Sequence, residues 1–396
     1  ELRRAGVSSF GFGGSDYHVV LEEHGRGSVA PAWDGSVEIL PLSAATPAAL
    51  AERLAALGPG DGAATRASFD HRLPERLVVF GPPEGVERGI ERARAKLAAD
   101  PEGSWSEPGL RRGRGESGRL ALLFAGQGSQ YVGMGRELAV VFPELAEALG
   151  EEAAIGTDVL PTPTFDAAER VRREEALRAT ERCQPALGAV GRGMLAVLGR
   201  FGVRADLFAG HSYGELLALH AAGRLDAEGL RATSALRGRL LAAGGGGGML
   251  AVIAPLAGIE GMIEGLDLVL ANSNAPDQGV LSGAVEAIAQ AEALCSARGW
   301  RCARLPVSAA FHSPLVADAE RAFRAGIEAL PLASGRGEVV ANATAAPYPK
   351  EAGAARDLLA SQLGRPVRWV ESVETLVGAG ATTFLEIGPK AVLTGL

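Results

Sequence analysis

Cysteine is scarce in this sequence, and long apolar runs are missing from it. The three cysteines, Cys183, Cys295 and Cys302, form an odd set without C-x-x-C spacing, which argues against a disulfide framework or a zinc knuckle and for a reducing, cytoplasmic setting. No apolar stretch reaches about 18 residues and no charged-then-apolar leader opens the chain, so neither a membrane partner nor a signal peptide is expected. Aromatics amount to 5%, and the 39 lysines and arginines are outnumbered by 47 aspartates and glutamates. A net charge of −8 is the wrong sign for a general nucleic-acid binder, and so few aromatics offer no base-stacking platform. An initiating methionine is also missing. Glu1 stands within what reads as a strand and loop, as expected of a piece of a larger polypeptide.

What is present is a globular composition: 396 residues, 47% hydrophobic and 22% charged, enough for about two domains with a full core in the larger. Residues 1–23 place a Gly-rich turn before a short alternating strand, His18 to Glu22, and are too few for a core of their own. Residues 24–118 mix Pro, Gly and charge around two helix-like stretches, Pro47 to Leu57 and Val86 to Ala99, and a strand-like one, Arg76 to Phe80. They read as a small α/β linker domain ending in a solvated basic loop, Arg111 to Arg119.

From residue 119 the texture changes. LALLFA at 120–125 reads as a buried strand, and strands at 120–124, 206–210, 338–341 and 382–387 alternate with helices, which predicts a parallel-sheet, α/β-hydrolase-like body over residues 119–396. Within it, residues 249–307 run strand, short helix, two strands (Leu268–Ala271 and Gly279–Ser282), helix (Val285–Arg298) and strand (Ala303–Ser308). That order predicts an inserted ferredoxin-like small subdomain. The five glycines at 244–248 lead into it as a linker or as a hinge.

Gly210-His211-Ser212-Tyr213-Gly214 sits between a strand and a helix start. G-x-S-x-G in that setting is a nucleophile elbow, in which flanking glycines permit a tight bend that pushes the Ser hydroxyl outward and the helix N-terminus favours developing negative charge. A helix-capping serine would give the same five letters, but the strand–Ser–helix order favours a nucleophile. Of six histidines, His18 lies in the N-terminal segment and His24 and His71 in the linker. His211, adjacent to the serine, is expected to point away from it, and His220 lies in the following helix. His312, in a loop after a strand, belongs to the same rim as the elbow and is the candidate base. Arg237 lies on a helix whose stripe Leu230, Thr233, Leu240 and Leu241 faces inward. A buried guanidinium needs an anion, either an internal Asp or Glu or a substrate carboxylate held bidentately.

These residues, together with Gly126-Gln127-Gly128-Ser129-Gln130, Phe311-His312-Ser313-Pro314, Gln362 before Pro366-Val367-Arg368-Trp369, and Glu386-Ile387-Gly388-Pro389, resemble the acyltransferase domain of type I polyketide and fatty acid synthases, a relative of malonyl-CoA:acyl carrier protein transacylase. Residues 7–23 resemble the last strands of a ketosynthase, with Asp16-Tyr17-His18 where Asn-Ala-His is usual, and 24–118 resemble the ketosynthase–acyltransferase linker. The resemblance implies Ser212 as nucleophile, His312 as base oriented by the Gln362 main-chain carbonyl, an oxyanion hole from the Gln127 and Tyr213 N–H groups, and Arg237 on the free carboxylate of the acyl group. It implies no permanently bound cofactor and no metal, malonyl-CoA as donor, and as partners an acyl carrier protein bearing phosphopantetheine and the ketosynthase of the same polypeptide. Ala309-Ala310-Phe311-His312 bears on selectivity: Phe311 fills the space of an α-methyl group and favours malonyl, while Ala309 departs from both the malonyl and the methylmalonyl pattern. Tyr213 with Glu215-Leu216 looks more like iterative synthases making polyunsaturated fatty acids or enediynes. The competing readings are a serine hydrolase or editing thioesterase, a methylmalonyl-selective transferase, and a catalytically silent docking module. A basic patch near the Ser212 cleft, or Arg111 to Arg119, would suit an acidic carrier.

Overall fold

The apolar run that changes the texture of the sequence forms strand Arg119–Phe124, inside a five-stranded sheet ordered Ala346–Pro347, Glu338–Ala341, Leu207–Gly210, Arg119–Phe124, Ala381–Ile387. The last four strands are parallel and Ala346–Pro347 is antiparallel. Successive side chains of a strand face opposite ways. Leu122 and Phe124 therefore enter one core with Leu187, Leu217 and Phe323, while Ala121 and Leu123 enter a second with Trp369 and Leu376. Burial on both faces explains why the strand reads as an unbroken apolar run. This computed structural model describes residues 4–10, 16–22, 35–116, 118–151, 153–244, 246–307 and 309–396. The Gly-rich turn at 11–15, His24, Gly245 of the glycine run and Ser308 lie outside the described residues.

Gly248–Ile253, Leu256–Ile263, Leu268–Ala275, Gln278–Gly283, Val285–Ala297 and Arg301–Arg304 alternate strand, helix, strand, strand, helix, strand. Their strands form a separate antiparallel sheet in the order 268–275, 278–283, 248–253, 301–304, with Leu250, Val252, Ile259, Leu281 and Ile288 in a core of their own. The strand expected at Ala303–Ser308 is instead Arg301–Arg304. Leu305 N–H still donates to Met249 O, but Pro306 has no N–H with which to continue the ladder.

The chain divides into two units, Glu1–Gly115 and Glu116–Leu396. In the first, Glu38–Ala44, Glu75–Gly81, Leu110–Arg114 and Trp105–Glu107 form an antiparallel sheet in that order, with helices Pro47–Ala56, Gly62–Ser68 and Val86–Ala99. Leu40, Leu50, Leu54, Leu77, Val79 and Ile90 fill its core. The basic loop expected at Arg111 to Arg119 is a correction: residues 110–114 are a strand, and Arg112 is buried. Arg112 Nη2 lies 3.0 Å from Glu75 Oε2 and also reaches Pro101 O, while Arg114 Nε lies 2.9 Å from Glu75 Oε1. Both cations are thereby engaged with Glu75, which removes them as free docking charges for a carrier. Apolar alternation is absent from L-R-R-G-R; the ladders to Glu75–Gly81 and Trp105–Glu107 form the strand, and Glu75 compensates its two inward arginines. Arg4–Phe10 and Asp16–Glu22 pair as an antiparallel hairpin, two residues longer at the second strand than expected. Val7, Phe10, Tyr17, Val20 and Leu21 stand exposed on it.

Candidate active site

Strand Leu207–Gly210 and helix Gly214–Ala221 are joined by three residues, His211, Ser212 and Tyr213. The bend needs both flanking glycines: a Cβ on Gly210 would fall 1.9 Å from Gly214 C, and one on Gly214 would fall 2.1 Å from Phe124 O. Ser212 takes φ 51, the left-handed region that a non-glycine residue occupies only under constraint. Its Oγ lies 2.7 Å from His312 Nε2.

His312, itself at φ 57, follows the small subdomain and precedes the helical turn Pro314–Val316, whose N-cap is Ser313. Its Nδ1 lies 3.0 Å from each of two carbonyl oxygens, Gln362 O and Arg365 O. Carbonyls only accept, so Nδ1 carries the proton and Nε2 presents a lone pair to the serine. Burial first, and then the Arg237 cation, depress the imidazole pKa to about 3, which keeps it a neutral base.

Arg237 lies on helix Ala227–Ala243, whose buried positions include Leu230, Thr233, Ser234 and Leu241, with Leu240 half-buried. Its Nη2 lies 3.1 Å from Gln362 Oε1 and 3.4 Å from Ser212 Oγ. Among the described residues it forms no ion pair with Asp or Glu. The buried Glu215 carboxylate instead accepts from Asn342 N–H, at 2.9 Å, and from the Tyr348 hydroxyl. Burial lowers the Arg237 pKa to about 10, still charged at neutral pH. The same burial raises Glu215 to about 7. Arg237 is thus a buried cation with neutral hydrogen-bond partners, aimed at the serine.

Ser212, His312 and Arg237 share a cavity of about 280 Å³. Met249, Ala251, Val280, Leu305 and Phe311 give it apolar wall, and Gln127, Asn272 and Gln278 give it polar positions. A larger groove, about 590 Å³, lies between helix Ala227–Ala243 and the segment 326–331, but no serine or histidine lines it. Gln127 Nε2 bonds Thr180 Oγ1, at 3.1 Å, leaving its loop at the edge of the cavity. The Tyr213 side chain runs into the core, where its hydroxyl meets Ser234 Oγ at 2.7 Å. Gln362, expected to act through its main chain, also donates from Nε2 to Ser212 O at 2.6 Å.

One expectation needs correction: Ala309 is buried beside Gly246 and is absent from the cavity lining, so Phe311 alone of that pair lines the cavity. His211 turns its Nε2 to Asn274 Oδ1, at 2.8 Å, and its ring to Trp369 edge-on, while still contributing to the cavity wall. Sequence reasoning missed Asn342, whose Oδ1 accepts from Ser212 N–H at 2.6 Å, and the Arg365 carbonyl. Asn342 directly follows strand Glu338–Ala341, so the same rim rule that singled out His312 reaches it. Val392, Leu393 and Leu396 close the cavity from the C-terminal segment, held by Glu386, whose carboxylate accepts from Leu393 N and Thr394 N.

The pattern of the acyl transferase domain family matches residues 121–395. Over its whole length the chain is 36% identical to the spectinabilin polyketide synthase system protein NorB of Streptomyces orinoci, and it spans 19% of that relative. It is similar in structure to the acyltransferase domain from the second module of the salinomycin polyketide synthase, at TM-score 0.68 and 33% identity, covering 93% of this chain and 85% of that one. A malonyl-transacylase solved in complex with a type II polyketide synthase acyl carrier protein aligns at TM-score 0.64 and 33% identity, over 70% of this chain and 91% of that one.

Proposed function

The chain belongs to the acyl transferase domain family, and on that premise we propose that it carries a malonyl group from CoA, through an ester on Ser212, to the phosphopantetheine thiol of an acyl carrier protein. The observation that carries this reading is the meeting, in one cavity, of a serine hydrogen-bonded to a neutral imidazole and a buried arginine that, among the described residues, no carboxylate contacts directly, Glu215 acting on it only through its field. A hydrolase of neutral acyl chains has no use for such a cation, whereas a diacid thioester supplies its missing anion.

In the proposed mechanism His312 Nε2 takes the Ser212 proton as Oγ attacks the thioester carbonyl. The Gln127 and Tyr213 N–H groups hold the oxyanion, beside the positive end of helix Gly214–Ala221. The C–S bond breaks and the imidazolium returns its proton to the departing CoA thiolate. The pantetheine thiol then attacks the ester with His312 again as base, and Ser212 regains its proton. Malonyl is favoured over methylmalonyl because Phe311 occupies the side of the cavity where an α-methyl would lie. Tyr213 with Glu215-Leu216 supports a reading of the domain as part of an iterative synthase, and residues 1–23 and 24–118 are read as ketosynthase tail and ketosynthase–acyltransferase linker, which would join it to a ketosynthase in one polypeptide. In the described residues no helix is long and apolar enough to cross a membrane.

Intact-mass measurement of the protein mixed with equimolar malonyl-, methylmalonyl- and acetyl-CoA tests the reading. The malonyl adduct should dominate; a dominant methylmalonyl adduct overturns the role given to Phe311, and a dominant acetyl adduct overturns the diacid reading. The pH dependence follows from the base. Neutral imidazole is the active form, and with its pKa depressed to about 3 that form persists as pH falls. The loading rate should therefore hold level from about pH 8 to about pH 5, instead of falling near the ordinary imidazole value of about 6.5.

A further inference from the structure

Ser212 is held in a left-handed backbone conformation, and such strain persists only where neighbouring groups over-determine it. One side chain does much of this. Asn342 Oδ1 accepts from Ser212 N–H at 2.6 Å while its Nδ2 donates to Gly210 O at 2.6 Å, so a single amide bridges the two ends of the bend. An amide is suited to the place because it offers a donor and an acceptor in one plane. Asn342 is itself immobilised: it is 0% exposed, its N–H donates to Glu215 Oε2, and its carbonyl accepts from Arg368 N at 3.0 Å. Glu215 is gripped from its other oxygen by Tyr348. The strand that ends just before Asn342 pairs directly with the strand leading into the elbow.

We propose that Asn342 is a positioning residue for the Ser212 nucleophile, its amide stapling Gly210 C=O to Ser212 N–H and so aiming Oγ at His312 Nε2. The inference rests on the reading of Ser212 as nucleophile. The staple has a second consequence: it occupies the Ser212 N–H, which leaves the oxyanion to the N–H groups of Gln127 and Tyr213.

Phenylmethylsulfonyl fluoride is a suitable probe, because it lacks the carboxylate that Arg237 would bind. Ser212 Oγ forms a bond to sulfur, the S–F bond breaks, fluoride leaves and His312 takes the proton. In Asn342→Ala, labelling of Ser212 should slow by about 100-fold, the scale of a misplaced reacting group, and malonyl loading should fall mainly in kcat with KM within about threefold. Asn342→Asp supplies a readout that a merely structural role would not move. Protonated, its acid donates to Gly210 O and accepts from Ser212 N–H as the amide does; ionised, it can only accept. The facing groups are Glu215 and Tyr348 behind it, Arg368 with its guanidinium on Glu371, and His211, His312 and Arg237 around the serine. Burial of the position favours the protonated form throughout, and Glu215, whose own pKa burial raises to about 7, opposes a second negative charge at the upper end of that range. The ratio of Asn342→Asp to parent labelling should rise as pH is lowered from about 8 to about 6. A folded Asn342→Ala protein labelled at the parent rate, or a ratio for Asn342→Asp that stays flat with pH, overturns the inference. A parent labelled elsewhere than Ser212 overturns the nucleophile reading and the inference with it.

Discussion

Ser212→Ala should abolish the mass increase that malonyl-CoA produces in the parent protein, and His312→Ala should slow that increase by about 10² or more, the range for loss of a positioned general base. The two effects have different origins. In the proposed mechanism Ser212 Oγ is the atom that becomes acylated, so its loss leaves no ester to form. His312, at 2.7 Å, is the proposed proton acceptor, so its loss leaves a half-buried serine hydroxyl that must surrender its proton to solvent. A Ser212→Ala protein still acylated at another residue would move the nucleophile and overturn the mechanism. Near-parent loading in His312→Ala would leave His211 to be tested as base, since it lines the same cavity and burial lowers its pKa as well.

Arg237→Ala should separate malonyl from acetyl. With no carboxylate in direct contact among the described residues, and Glu215 acting only through its field, Arg237 is free in the proposed mechanism to meet the acyl group's own carboxylate. Truncating it would leave that anion desolvated and unpaired, at about 2–5 kcal/mol, typical of a broken buried charge pair. Malonyl loading should fall by roughly 30-fold or more on that scale. Acetyl-CoA has no carboxylate, so acetyl loading should be unchanged or improved once the competing cation is gone. Thermal unfolding belongs in the same experiment, because Arg237 also bonds Gln362 Oε1, the side chain that grips Ser212 O. Equal losses for both thioesters in a destabilised protein would make Arg237 a structural residue and reject the carboxylate clamp.

Local pattern alone determined a good deal of this protein. The apolar run before Ser212, the glycines on either side of it and the helix after it are neighbours in the chain, and steric and periodic rules act at that range. The same holds for the strand–helix order at 249–307, where hydrophobic alternation switches between periods within a few residues. Patterning failed where a partner lies far along the sequence. Leu110–Arg114 pairs on both sides with strands distant or separate in the chain, and Glu75 neutralises two of its arginines; no periodicity in L-R-R-G-R announces that.

The site divides in the same way. The sequence singled out Ser212, His312 and Arg237 as chemically apt, because elbow geometry, loop placement and helix face can be read locally. Only the tertiary structure brought His312 within 2.7 Å of a serine 100 residues away, gave its Nδ1 two carbonyls, and gave Arg237 neutral hydrogen-bond partners, with Glu215 nearby but not paired to it, where a direct internal carboxylate was an equal expectation. Asn342 reached the Ser212 N–H by the same route, from a strand 130 residues further on. Burial decided the electrostatics: the same imidazole and guanidinium in water would keep their ordinary pKa values, and it is desolvation, a property of the packed cavity and not of any segment, that makes one a neutral base and leaves the other a cation in need of an anion.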